Sequence, residues 1–195
     1  MSDQHLPTPR LLCIGAHPDD CEIQASGLAA LWTGRGGSAR FISMTDGSAG
    51  HQELGGAQLA NIRRGEARAG AAAVGADSVV FDNLDSSLLP TLENRHRVIQ
   101  AVREYQPDVI ATHRTNDYHP DHRYTGVTVQ DACYMVMVPN ALPRCPVPDR
   151  EPVVVPRRVR RVGARDGHGV GPQELAIELG VGPPGHEDLV SPEGD

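Results

Sequence analysis

Two short segments hold most of the chemistry in this chain. Ala16-His17-Pro18-Asp19-Asp20 follows one apolar run and His119-Pro120-Asp121-His122 follows another, each where a strand should be ending. Together they carry three imidazoles and three carboxylates. Three nitrogen or oxygen ligands with an open position for water, plus an acid and a base, make up the inventory of a zinc hydrolase. His17 and Asp20 flank a strand-to-helix turn, so both can enter one pocket. Asp19 projects differently and can face a water without ligating the metal. His119 and His122 share one side of a first helical turn. A plainer reading stands beside this one: aspartates cap helices, proline suits a first turn, and Asn116, Asp117 and Asp121 suit polar turns. It leaves unexplained a histidine at the exit of a buried strand and a second pair of histidines framing Pro-Asp.

The elements that must position these residues alternate. Apolar runs predict strands over 10–16, 39–45, 78–81 and 108–112. Helical periodicity marks 20–34, with Ile23, Leu28, Leu31 and Trp32 as its apolar stripe. Further helices are predicted over 57–74, over 91–105 with Leu92, Val98, Ile99 and Val102 inward, and over 122–138 with Val127, Val129, Tyr134 and Met137 partly buried. Residues 46–56 form a glycine-rich loop carrying His51 and Glu53. This alternation predicts a Rossmann-like α/β fold: a doubly wound, mostly parallel sheet in a three-layer α/β/α sandwich. Such sheets bind ligands beyond the carboxyl ends of their strands, where strand order reverses. The two segments meet only if the first and fourth strands are neighbours.

Composition narrows the classes. The 195 residues suit one domain with a sizeable core. A net charge of −7 argues against a nucleic-acid partner. No apolar stretch approaches the roughly 18 residues of a membrane span. The N-terminus lacks the apolar centre of a signal peptide, and the scattered Cys13, Cys21, Cys133 and Cys145 read as free thiols, so the cytoplasm is the expected compartment. All 18 basic residues are arginine, which excludes a Walker A loop and a lysine Schiff base. The chain changes character near Pro139: beyond residue 142 it holds nine of the 16 prolines and eight of the 21 glycines, and no aromatic residue. The expected division is a catalytic domain over 1–140 and a Pro/Gly/Arg-rich tail over 141–195, poorly ordered, with a further strand at 153–155 and a helical turn at 175–179 as its candidate elements. The tail resembles a truncation or an out-of-frame translation.

AHPDDCE and HPDHR, in this order and placement, resemble the LmbE/PIG-L family of zinc-dependent de-N-acetylases, and the likeness covers roughly 11–139, including Asn61-Ile62-Arg63-Arg64-Gly65-Glu66-Ala67. The resemblance implies zinc held by His17, Asp20 and His122, with iron(II) suited to the same ligands. It implies Asp19 as general base, His119 as oxyanion stabiliser or acid, Asp121 as the support of His119, and Arg63 as a substrate residue. The substrate implied is a small N-acetylated amino sugar or its glycoside; a homo-oligomer is compatible with this. His51 and Glu53 belong to a surface loop or a substrate-contacting lid, and Asn116 and Asp117 form a turn or meet sugar hydroxyls. His113 is expected beside the ligands rather than among them.

Overall fold

In the computed structural model, residues 8–156 are described. Five parallel strands, β1 (Arg10–Gly15), β2 (Ser38–Thr45), β3 (Ala76–Asn83), β4 (Val109–Thr112) and β5 (Val153–Pro156), form one sheet in the order β3-β2-β1-β4-β5. The helices between them are α1 (Asp20–Thr33), α2 (Gly56–Ala73), α3 (Leu92–Tyr105) and α4 (Pro120–Val136). Strand order reverses between β1 and β4, which pair in register from Leu11 opposite Val109 to Ile14 opposite Thr112. The doubly wound sheet expected from the alternation is therefore present, and both histidine-bearing segments leave the carboxyl ends of adjacent strands.

The strand pleat divides the core into two layers. Leu12 and Ile14 of β1 join Ile42, Met44, Ile110, the α3 residues Val98, Ile99 and Val102, and the α4 residues Val129, Ala132 and Val136. On the other face Leu11 and Cys13 join Phe41, Ala111, the α1 residues Cys21, Ala25 and Ala29, and Ala71 of α2. Cys13, Cys21 and Cys133 are buried, and Cys145 is partly exposed. No helix among the described residues is long and apolar enough to cross a membrane.

Several expected details are different in the structure. The inward stripe of α1 is Cys21, Ala25 and Ala29, whereas Ile23 is 77% exposed and Leu31 47%. A helix lying close on a sheet uses its small residues as the contact face, and the larger ones fall outside it. Leu92 and Tyr134 also face solvent. α4 begins at Pro120, two residues earlier than its periodicity suggested, because a proline at the first helical position gives up no hydrogen bond. β3 is longer than its apolar core, its ends being pulled into register by β2. β5 pairs with β4 from Val109 opposite Val153 to Thr112 opposite Pro156, so the sheet continues past the point where composition changes. The expected disorder of the tail beyond β5 and the helical turn at 175–179 lie outside the described residues.

Candidate metal centre

The turn between β1 and α1 folds back on its own aspartates. Asp20 Oδ2 accepts the backbone N–H groups of Ala16 and His17 at 3.0 and 2.8 Å, which fixes one carboxylate oxygen and turns the side chain beneath His17. His17 Nδ1 lies 3.4 Å from that same oxygen. Neither Asp19 nor Asp20 caps the helix in the ordinary way: Asp19 makes no side-chain capping bond and instead holds Arg63 Nη2 at 2.7 Å. The carboxylate of Asp19 therefore sits at the rim, tied to Arg63, while still within reach of His17 and Asp20. Gly47, at φ +70°, makes this possible from the neighbouring loop, since a Cβ there would meet Pro18 at 3.0 Å and Arg63 at 3.3 Å.

The second segment comes up against the first from β4. Gly126 lets α4 lie directly on the end of that strand: a Cβ in its place would stand 2.6 Å from the His113 carbonyl oxygen. His119, in extended conformation, precedes Pro120, and His122 occupies the first helical turn. His122 Nε2 is 3.4 Å from Asp20 Oδ1, and its Nδ1 is 3.8 Å from Asp117 Oδ1. The rings of His119 and His122 are stacked at 4.6 Å, and His17 stands 4.9 Å from His119 and 5.2 Å from His122. His113, buried, stacks on the far side of His122 at 4.2 Å. Its Nε2 lies 3.2 Å from Asp20 Oδ2 and 3.2 Å from the Ala16 backbone nitrogen, so His113, Asp20 and the end of β1 meet at one point.

Asp121 is 1% exposed and does not bond to the residue it was expected to support. Its Oδ2 is 3.3 Å from His17 Nε2 and accepts the Ser86 N–H at 2.8 Å, while Oδ1 accepts the Leu88 N–H at 3.3 Å. The support goes to His17 because the loop after β3 supplies two backbone donors that aim the carboxylate there. His119 Nδ1, buried, has no hydrogen-bond partner among the described residues. Asp85 is the residue that sequence reasoning missed. Its Oδ1 lies 3.4 Å from His17 Nε2 and its Oδ2 accepts the Ala49 N–H at 3.2 Å. The available signal was its place: an acid just beyond the carboxyl end of a parallel strand.

These contacts shift the protonation of the cluster. Burial pushes the His17 imidazole down, but hydrogen bonds and charge from Asp20 and Asp85 outweigh it and carry it up to about 10. Burial would raise Asp20, yet the hydrogen bonds from His113 and His17 hold it well below the carboxylate range. The His17 hydrogen bond, working against burial, brings Asp85 to about 2. His122 is lowered, by burial first and by its imidazole neighbours, against the pull of Asp20.

The donor set fits a divalent transition metal. Ligands at about 2.0–2.1 Å in a tetrahedron are about 3.3 Å apart; His17 Nδ1 is 3.4 Å from Asp20 Oδ2 and His122 Nε2 is 3.4 Å from Asp20 Oδ1, so the two imidazoles meet opposite oxygens of one carboxylate. A metal-ligating histidine characteristically has a carboxylate on its other nitrogen. His17 has Asp121 and Asp85 there, and His122 has Asp117. His119 also comes within reach of His17 and His122, and His113 within reach of Asp20 and His122. The carboxylates behind their rings favour His17 and His122.

The remaining expected residues divide. Arg63, not Arg64, reaches the site, since it continues the buried stripe of Leu59 and Ala67 at four-residue spacing; Arg64 instead contacts Asn61. Asp117 takes the His119 N–H at 3.1 Å and pairs with Arg114, contacts typical of a turn. His51 Nδ1 accepts the N–H groups of Glu53 and Leu54, which organises its own exposed loop.

Residues 12–133 match the family described as PIG-L: GlcNAc-PI de-N-acetylase. A diacetylchitobiose deacetylase from Thermococcus kodakarensis is 31% identical over 137 residues, 67% of this chain and 51% of that protein. The structure of N,N'-diacetylchitobiose deacetylase from Pyrococcus horikoshii with its inhibitor aligns with a TM-score of 0.65 at 31% identity, over 69% of this chain and 52% of that one. The 4-carboxy-2-hydroxymuconate hydratase from Pseudomonas putida aligns with a TM-score of 0.68 at 25% identity, over 75% of this chain and 64% of that one. The chain spans about half the length of the curated relatives it matches.

Proposed function

The chain belongs to the PIG-L, GlcNAc-PI de-N-acetylase, family, and from that premise we propose that it is a metal-dependent hydrolase that removes the acetyl group from an N-acetylated amino sugar or its glycoside. The observation that carries this reading is the placement of the Asp20 carboxylate between His17 and His122, with Asp19 beside them and held by Arg63.

His17, Asp20 and His122 would hold zinc, and iron(II) suits the same donors. Such an ion, when bound, polarises a carbonyl and makes water acidic near neutral pH. The protein's own groups do the rest. Arg63 fixes the direction of the Asp19 carboxylate at the mouth. Asp19 accepts a proton as water oxygen adds to the amide carbon. The developing oxyanion lies near His119, whose Nδ1 lacks an internal partner; a donor of this kind is typically worth about 3 kcal/mol. Proton delivery to the amine nitrogen, from His119 or from Asp19, lets the carbon–nitrogen bond break and acetate depart.

Acetate release from a panel of N-acetylated sugars by the zinc-loaded protein tests the reaction. Asp19→Asn keeps zinc and loses at least about 100-fold in kcat; His122→Ala loses zinc. An Asp19→Asn protein with full turnover would remove the assigned base. A second reading is favoured by the hydratase likeness: addition of water across the double bond of an unsaturated carboxylate, with Arg63 meeting the acid. Loss of ultraviolet absorbance from such a compound, with no acetate from any sugar, would select it.

A further inference from the structure

Four rings form a column that runs from solvent into the sheet. His113, 5% exposed, stacks on His122 at 4.2 Å. His122 stacks on His119 at 4.6 Å, and His119 meets Tyr118 edge-on at 6.4 Å and 74°. Tyr118, the outermost, is 90% exposed. An aromatic ring left in water forgoes roughly 1.5–3 kcal/mol of burial, and nothing about its backbone forces this. The loop is tied down on both sides: Asp117 Oδ1 accepts the His119 N–H, Arg114 pairs with Asp117, and Arg123 donates to the Asp117 carbonyl at 2.9 Å. A fixed backbone thus displays a bare aromatic face one residue from the orphaned imidazole of His119.

We infer that Tyr118 is a binding residue that stacks on the pyranose ring carrying the reacting N-acetyl group; this rests on the reading of the site as a sugar deacetylase. The C–H bonds on one face of a pyranose are weakly positive and apolar, and they suit the negative face of an aromatic ring. The column sets the spacing, since a sugar placed with its amide at His119 has its ring within reach of the next ring outward. The contact is made equally in the ground and transition states, so it acts on binding and not on the chemical step.

The probe is N,N'-diacetylchitobiose with the full chain. Binding is measured by calorimetry on metal-free protein, and KM and kcat by acetate release from the zinc-loaded protein. Tyr118→Ala is expected to raise Kd and KM by roughly 3- to 10-fold and to leave kcat within about twofold. Tyr118→Phe is expected to behave as the wild type, because the ring face and not the hydroxyl makes the contact. Unchanged Kd and KM in Tyr118→Ala would overturn the inference. So would a Phe variant as weak as Ala, or a loss confined to kcat. Wild-type protein that binds the disaccharide without releasing acetate removes the proposed reaction alone, with Tyr118 still judged by the calorimetry. Wild-type protein that binds no sugar removes both.

Discussion

His17 stands between three carboxylates, and this decides how the site must load. Its imidazole, carried up to about 10, is protonated at neutral pH in the metal-free protein. A metal competing for Nδ1 must displace that proton, so apparent affinity rises with pH through the whole range below about 10, by up to about tenfold per unit. Chelator competition at pH 6, 7 and 8 reads this slope, and a flat profile would mean that His17 is not a ligand. Asp85→Asn removes one of the two charges behind Nε2 and should weaken zinc binding by roughly 10- to 100-fold, with Ser86→Ala, which keeps the backbone, close to wild type. Much of this site was legible as sequence: residue types and spacing in AHPDD and HPDH marked six groups that come together here, and the resemblance singled out His17, Asp20 and His122 among them. What spacing could not tell was which carboxylate stands behind which imidazole. Asp121 is two residues from His119 in the chain yet bonds to His17, and Asp85 enters from a loop with no motif. Such pairings depend on how separate elements cross, which residue spacing does not encode.

At the scale of elements, helix and strand existence followed from periodicity, whereas faces and ends did not. The α1 stripe was misread because hydrophobicity ranks Ile23 above Ala25, while close packing on a sheet ranks them the other way. Arg103 is a sharper case. It lies on the predicted inner face of α3, one residue beyond Val102, and it is 2% exposed. Its guanidinium donates to the carbonyls of Val136, Val138, Leu142 and Cys145 at 2.6–3.0 Å. It therefore closes the carboxyl end of α4 and holds the segment that follows, satisfying acceptors a helix end leaves bare. Arg103→Met strands these four acceptors and should cost about 3 kcal/mol or more, a drop of roughly 6–12 °C in Tm. Arg103→Lys should recover only part, since one ammonium cannot span the fork. An unchanged Tm in the Met variant would show that water satisfies these carbonyls just as well.

For the molecule as a whole, the arrangement that matters is β1 beside β4 at the reversal of strand order. The sequence foretold this adjacency, because only it brings the two histidine segments together. It placed the end of the packed domain near residue 140, since proline, glycine and the loss of aromatics change there. A parallel strand needs neither aromatics nor length, only a few β-branched residues against a waiting edge. Val153, Val154 and Val155 supply them, four-residue β4 is the edge they cover, and Val154 packs against the α3–α4 core. The stretch between contributes the Leu142 and Cys145 carbonyls to Arg103. A chain ended at residue 140 would then lose the outer cover of β4 and half of the acceptors that fix Arg103. Because β4 leads directly into His113 and on to the second histidine segment, damage there reaches the metal ligands. The shortened chain should melt at least about 10 °C lower or aggregate through the bared strand, and the part that stays in solution should bind zinc more weakly. Thermal unfolding and chelator competition on the two chains side by side decide it: equal Tm and equal zinc affinity would mean that β5 is dispensable and that β4 holds the site from one side alone.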